Sequence, residues 1–244
     1  MTRVYCAERL ATGLRVTLAP GASRHVAKVL RKAAGDELIV FDGSGGEYRA
    51  VIESIARAGA TVVIGDWRDV EREAPIRVTL AQAISATDRM DFTLQKAVEL
   101  GVAAIQPLAA ARSVTRLDAE RARKRVEHWR GVVVSACEQC GRNRIPPVAE
   151  VADSIHWLGS ARAHEQAQLR LLLAPGATLR LRDLAAPHGE VLLLAGPEGG
   201  FTDDEEHAAR AAGFSAVRLG PRTLRTETAA LAALAAMHAL WGDF

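Results

Sequence analysis

Residues 196–201 read Gly-Pro-Glu-Gly-Gly-Phe and put three glycines and one carboxylate into a single short turn. Without a Cβ, a glycine backbone can lie close against a flat ligand. Glu198 places negative charge where a phosphate binder would want a donor. The chemistry that suits such a loop is main-chain recognition of a ligand poor in phosphate, cationic or zwitterionic. No Lys-Ser/Thr pair follows the glycines, and the spacing is not Gly-x-Gly-x-x-Gly, so neither a P-loop nor a dinucleotide fingerprint is present. A second irregular run, residues 220–225 (GPRTLR), carries Arg225 and is followed by Glu227.

The flanking elements explain why both loops face one ligand. Residues 191–195 are a continuous apolar run, short enough for a strand buried on both faces. Thr202 and Glu205 have capping-box spacing and predict a helix to about Ala212, closed by Gly213. Residues 216–219 predict another strand, and Thr226 is expected to cap an alanine- and leucine-rich helix to the C-terminus. Upstream, residues 76–83, 102–108 and 169–174 read as strands. A helix runs from Asp88 through Phe92, Leu94, Ala97, Val98 and Leu100 to Gly101, and residues 177–190 read as a turn-helix-turn. Strand and helix alternate, which builds an α/β fold with a parallel sheet whose ligands bind at the carboxyl ends of the strands.

Residues 1–72 have a different texture. Short β-like runs at 14–18, 37–41, 47–55 and 60–67 are separated by Pro-Gly, Asp-Gly and Gly-Gly turns, the pattern of a small β-barrel. One short helix interrupts them, with Ser23 as cap and Val26, Val29 and Leu30 facing inward. Arg24, Lys28, Arg31 and Lys32 concentrate positive charge on it, as a phosphate-contact face or a solvated one. The charged segment 69–75 is the boundary, giving domains 1–72 and 73–244.

The chain has 244 residues, 49% of them apolar and 25% charged, with a net charge of +2. Those values fit an ordinary soluble globular protein. No run reaches membrane-span length, the N-terminus has no apolar signal core, and three cysteines are too few for a disulfide framework. A cytoplasmic setting is expected. Cys137-x-x-Cys140 lies near a helix C-terminus, the wrong end to activate a thiol, and reads as packing. The seven histidines show no metal-binding spacing, so no metal is expected. A basic stretch follows: Arg112, Arg116, Arg121, Arg123, Lys124, Arg125 and Arg130 outnumber Asp118, Glu120 and Glu127. Val126, Trp129, Val133, Ala136 and Cys140 fall on one stripe beneath it, so this is an exposed face, solvated or tracking phosphates.

GPEGGF followed by LGPRTLRTETA resembles the cofactor end of SPOUT-class RNA methyltransferases, and the chain is most similar to the RsmE family, which methylates N3 of a uridine in small-subunit (16S) ribosomal RNA. Two further stretches carry the resemblance. One is His25, Val29, Leu30, Arg31, Gly35, Asp36, Phe41, Asp42 and Gly43, similar to the family's PUA-like barrel. The other is Lys96 with Glu99-Leu100-Gly101-Val102, where the chain departs from the pattern at Thr87 and Val98. Glu138, Gln139 and Arg142 match a Glu-Gln-Ser-x-Arg element. The resemblance implies a PUA-like RNA-binding β-barrel followed by a SPOUT domain with a deep trefoil knot.

It further implies a homodimer, S-adenosyl-L-methionine as cofactor, and small-subunit ribosomal RNA, or the subunit itself, as partner. Leu173, Ala174, Gly196, Gly199, Gly200, Leu219, Gly220, Thr223 and Leu224 are then the cofactor pocket. Glu198 either counters the sulfonium or ammonium or caps the following helix. Uridine N3 must lose a proton before it attacks, which calls for a base or an anion-stabilising cation. Glu138, Glu198 and Glu227 are candidate bases, and Arg142 and Arg225 candidate cations. Arg24, Lys28, Arg31, Lys32 and Arg112 are the candidate RNA contacts. Three other readings use the same residues: a 2′-O-ribose methyltransferase on this scaffold, a non-catalytic RNA-binding assembly factor, and a nucleotide-binding α/β enzyme.

Overall fold

The computed structural model describes residues 2–114, 118–160 and 167–244; Arg116 of the basic stretch lies outside them. The chain divides into two compact units. One runs to Glu73 and includes Cys137–Ile145; the other is Ala74–Ala136 with Pro146–Phe244.

The first unit contains β1 (Arg3–Tyr5), β2 (Arg15–Thr17), α1 (Pro20–Arg24), a π-helical turn (His25–Val29), β3 (Glu37–Phe41), β4 (Glu47–Ala56) and β5 (Gly59–Arg68). Its sheet order is β1-β3-β4-β5-β2, antiparallel except for β1 beside β3. The period-two alternation of β4 turns Ala50 and Ile52 into a core with Leu38, Val40, Val62 and Ile64, while Arg49, Val51 and Glu53 face water. Three-residue β1 has too short a pattern to be read from sequence.

The short helix departs from expectation. It starts at Pro20 with Ala19 as N-cap. Ser23 is not its cap but a buried tie, donating to Leu18 O (2.8 Å) and accepting from Ala60 N–H (3.0 Å). Val26 is buried, but Val29 and Leu30 point outward. The cause is a widened turn: Leu30 N–H bonds His25 O five residues back, which shifts the following side chains off the α-helical stripe.

Residues 137–145, expected in the second domain, belong to the first unit because polar groups hold them there. Arg3 bonds Glu47 (2.5 Å) and Asn143, Asn143 donates to Val70 O (2.5 Å), and Arg144 donates to Ser44 O (2.8 Å).

The second unit contains β6 (Val78–Ala83), α2 (Thr87–Glu99), β7 (Ala104–Ala109), α3 (Ala119–Cys140, its last turn counted with the first unit), β8 (Ala152–Asp153), α4 (Ser154–Leu158), β9 (Ala167–Leu173), β10 (Leu179–Arg180), β11 (Glu190–Ala195), α5 (Asp203–Ala211), β12 (Ser215–Arg218) and α6 (Thr226–Trp241). The turn-helix-turn expected at 177–190 is instead β10 and a 3-10 turn, Leu181–Asp183. Seven strands run in the order β10-β12-β9-β11-β6-β7-β8, and every neighbouring pair is parallel. Because β12, β9 and β11 are adjacent and parallel, the loops leaving their carboxyl ends gather on one side of the sheet.

On α3, Val126, Trp129, Val133 and Ala136 are buried as expected, but Cys137 rather than Cys140 completes the stripe. The basic face above it is largely paired: Arg121 with Asp118, Lys124 with Glu120, Arg130 with Glu127 and Glu150. Those three cations are partly neutralised by their own neighbours, while Arg125 donates to Thr87 Oγ1 (2.8 Å). Among the described residues no helix is long and apolar enough to cross a membrane, and no cluster of His, Cys, Asp and Glu is placed to hold a metal.

Candidate functional site

A cavity of about 600 Å³ opens where the loops after β9, β11 and β12 meet. That size is ample for a drug-sized ligand. Ten residues singled out from sequence line it: Leu173, Ala174, Gly196, Glu198, Gly199, Gly200, Leu219, Gly220, Thr223 and Leu224. Gly200 (φ +70°) and Gly220 (φ +128°) take left-handed conformations facing open space, so the backbone itself forms the wall. Residues 220–224 make no backbone hydrogen bonds among the described residues. Their main-chain donors and acceptors are therefore free for the edge of a heterocycle. Leu173, Leu224 and Phe201 supply apolar lining.

Three internal ties shape this wall. Gln82, fully buried on β6, donates from Nε2 to Thr226 Oγ1 (3.1 Å), which donates to Gly196 O (2.5 Å). Thr226 was expected to cap α6; Arg225 holds the N-cap position, and Thr226 fastens the start of α6 to the glycine loop. Glu198 was expected to cap the helix after it, or to face a cationic ligand. Its Oε1 accepts from Ala86 N–H (3.0 Å) at the start of α2 and from Arg89 (3.2 Å), while its Oε2 is buried without a hydrogen-bond partner. The following helix, α5, is capped by Thr202 and Glu205 in a complete capping box. Arg112, expected to contact RNA, donates to Gly199 O (3.2 Å) and Phe201 O (3.1 Å) and braces the glycine loop.

Glu205 anchors the same region from behind. It is 1% exposed and accepts from Ser154 Oγ (2.6 Å), Thr202 N–H and Ala111 N–H (both 2.9 Å). Burial alone would raise its pKa, but these three donors outweigh it and hold the carboxyl below its ordinary value.

The cavity rim is cationic. Glu198 is paired with Arg89, and Glu206 with Arg210. Arg218, Arg222 and Arg225 line the cavity, are exposed, and have no ion pair or side-chain hydrogen bond among the described residues. An Arg225–Glu227 pair does not form. Glu227 does not line the cavity, and its Oε2 is buried without a hydrogen-bond partner.

Glu138 and Arg142 are tied up in the first unit. Glu138 accepts from Tyr5 N–H (2.9 Å), and burial raises its pKa against that bond. Arg142, 4% exposed, pairs with Glu73 through two bonds, so it is not open to a substrate anion. Burial also pushes the Cys137 thiol up to about 12 and Cys6 to about 11, the reverse of an activated thiolate. Arg24, Lys28 and Arg31 are exposed, and Lys32 is partly so.

Sequence reading missed Gln82, Arg89, Arg218 and Arg222 at this site. Arg222 lies inside the irregular loop and was findable there. Gln82 and Arg89 are more than 100 positions from their partners, and only the parallel pairing of β6 with β11 brings them near.

A family model described as an RNA methyltransferase domain matches residues 72–238, and one described as an RNA methyltransferase PUA domain matches residues 19–65. Proteins named ribosomal RNA small subunit methyltransferase E are similar along most of their length. That of Buchnera aphidicola is 31% identical (99% of this chain, 94% of that protein), and that of Mycobacterium bovis is 39% identical (88% and 83%). Among solved structures, ribosomal RNA small subunit methyltransferase E of Neisseria gonorrhoeae bound to S-adenosyl methionine superposes with a TM-score of 0.90 at 42% identity, over 100% of this chain and 99% of that one. A Legionella pneumophila methyltransferase in complex with SAM superposes at 0.94 with 38% identity, again over 100% and 99%.

Proposed function

The chain belongs to the ribosomal RNA small subunit methyltransferase E family, and we propose that it carries a methyl group from S-adenosylmethionine to N3 of one uridine in 16S ribosomal RNA. The observation that carries this reading is the cavity at the carboxyl ends of β9, β11 and β12, walled by positive-φ glycines and unbonded backbone.

The residues fit the cofactor. The lining comes from the loop after β11 (Gly196, Gly199, Gly200), the loop after β12 (Leu219, Gly220, Thr223, Leu224) and the end of β9 (Leu173, Ala174). In the SPOUT class these loops belong to a deep trefoil knot, which we carry to residues 173–226. S-adenosylmethionine, when bound, supplies an electrophilic methyl on a sulfonium. The chain's own task is to orient the uracil and stabilise it as its N3 proton leaves. Arg225 is unpaired at the cavity rim, and we assign it to the developing uracil anion, where a fixed cation contributes most. Glu138 and Arg142 we assign to holding residues 137–145 in the first unit, as their bonds suggest.

The two units divide the work in this reading: the first presents Arg24, Lys28, Arg31 and Lys32 to RNA phosphates, and the second holds the cofactor. We also infer a homodimer working in the cytoplasm. Phe92 on α2 and Leu240 and Phe244 at the end of the chain are exposed, an apolar set suited to a second copy. Mass spectrometry of small-subunit ribosomal RNA from a strain lacking the protein tests the reaction. One uridine without its N3 methyl is the expected result; a missing ribose methyl would point to 2′-O transfer, and an unchanged spectrum would refute methylation.

A further inference from the structure

The π-helical turn of the first unit has three features that packing does not require. Val29 is 65% exposed and Leu30 37%, beside fully buried Val26. Arg31 follows with φ +51°, and among the described residues it is the one non-glycine in the left-handed region. It sits where a helix end usually places glycine: Lys32 N–H reaches six residues back to Val26 O (3.1 Å), closing the widened turn through a left-handed residue. Glycine would make that bond without the Cβ penalty. Keeping arginine there retains strain, and retained strain clusters at working surfaces. Finally, the side chains of Arg24, Lys28 and Arg31 have no ion pair or hydrogen bond among the described residues; of the four cations only Lys32 has a partner, Asp36 at 3.9 Å.

An apolar pair held in water and ringed by unpaired cations asks for a partner with apolar faces and negative charge. Unstacked nucleotides have both. We propose that residues 24–32 are an apolar-tipped RNA contact: Val29 and Leu30 pack on the faces of one or two unstacked bases of small-subunit ribosomal RNA, while Arg24, Lys28 and Arg31 hold the adjoining phosphates. This deepens the methyltransferase reading and rests on it. The widened turn keeps both aliphatic side chains outward. Side chains inserted among bases and flanked by cations are a known way to grip nucleic acid.

The test is filter binding of the full-length protein to a small-subunit ribosomal RNA transcript across a salt series, with calorimetry of S-adenosylmethionine in parallel. The double variant V29S/L30S should bind RNA about tenfold more weakly at every salt concentration, with an unchanged slope of log K against log salt, because no charge is lost. R31G should lower that slope by about 0.7, one phosphate contact on a single strand, with a melting temperature equal to or above wild type. Both variants should bind S-adenosylmethionine as wild type does. RNA affinity of V29S/L30S equal to wild type overturns the apolar contact, as does a melting temperature of R31G well below wild type. A wild-type protein that binds neither RNA nor S-adenosylmethionine overturns the functional reading and this contact with it.

Discussion

Thr226→Val probes the device that joins the two halves of the cofactor wall. Valine keeps the shape of the side chain but removes the hydroxyl, so both the bond from Gln82 Nε2 (3.1 Å) and the bond to Gly196 O (2.5 Å) disappear. Gln82 is fully buried and retains only its bond to Ala83 O. One lost bond costs about 1 kcal/mol, and a buried polar group left unmatched costs about 1–3 kcal/mol. A global loss of about 2–4 kcal/mol follows, with part of it felt locally. If about 1–2 kcal/mol of the loss is specific to the cofactor-ready position of the Gly196 loop, S-adenosylmethionine affinity falls roughly 5- to 30-fold. Thr226→Ser keeps the hydroxyl and should recover most of both effects. Calorimetry with the cofactor, beside thermal melts, reads the two quantities separately. Wild-type affinity in Thr226→Val, or a Thr226→Ser variant as impaired as valine, would refute the idea that this hydroxyl positions the loop.

Other consequences are equally direct. Arg225→Ala should lower kcat by about 10²- to 10³-fold, the scale of a lost charge-stabilising group, while calorimetric cofactor affinity stays near wild type; a change confined to cofactor affinity would remove Arg225 from the chemistry. Gly220→Val forces a β-branched residue to φ +128°, and a cost of about 1–3 kcal/mol in stability with weakened cofactor binding is expected; an unperturbed melt and affinity would contradict the backbone account. Glu205 has a folded pKa below its ordinary value, so its contribution is fully present above about pH 4.5 and fades as pH falls through the folded value. Urea melts from pH 7 to pH 3 should therefore show a stability drop beginning near pH 4.5. That drop should be shallower in Glu205→Gln, which is already about 1–3 kcal/mol weaker at pH 7; equal slopes would refute the linkage.

The legible parts of the fold were those that local chemistry decides. The capping box of Thr202 and Glu205 is present on both sides, and β3 has the limits its apolar run suggested. The cavity-lining loops were legible because glycine-rich loops at strand ends have a geometric meaning in any parallel sheet. What stayed hidden depends on partners distant in sequence. Glu198 turned away from its own helix to the start of α2, Thr226 gave up a capping role for a bridge, and Arg112 braced a loop. No local pattern encodes such pairs. Val29 and Leu30 were misjudged for another reason: an α-helical period was applied to a turn that has π-helical spacing. The resemblance to a family supplied the reaction and the cofactor, and the expectation of a dimer; composition and periodicity alone reached only a parallel α/β domain with a ligand site, preceded in the chain by a small β-domain.

The central claim is that the loops after β9, β11 and β12 enclose S-adenosylmethionine. A crystal grown with its demethylated product, S-adenosylhomocysteine, tests it most directly. The account predicts the adenine between Gly196–Gly200 and Leu219–Leu224, hydrogen-bonded to main-chain atoms of residues 220–224, with the sulfur on the side of Arg225. Density for the ligand elsewhere, or an empty cavity at saturating concentration, would contradict it.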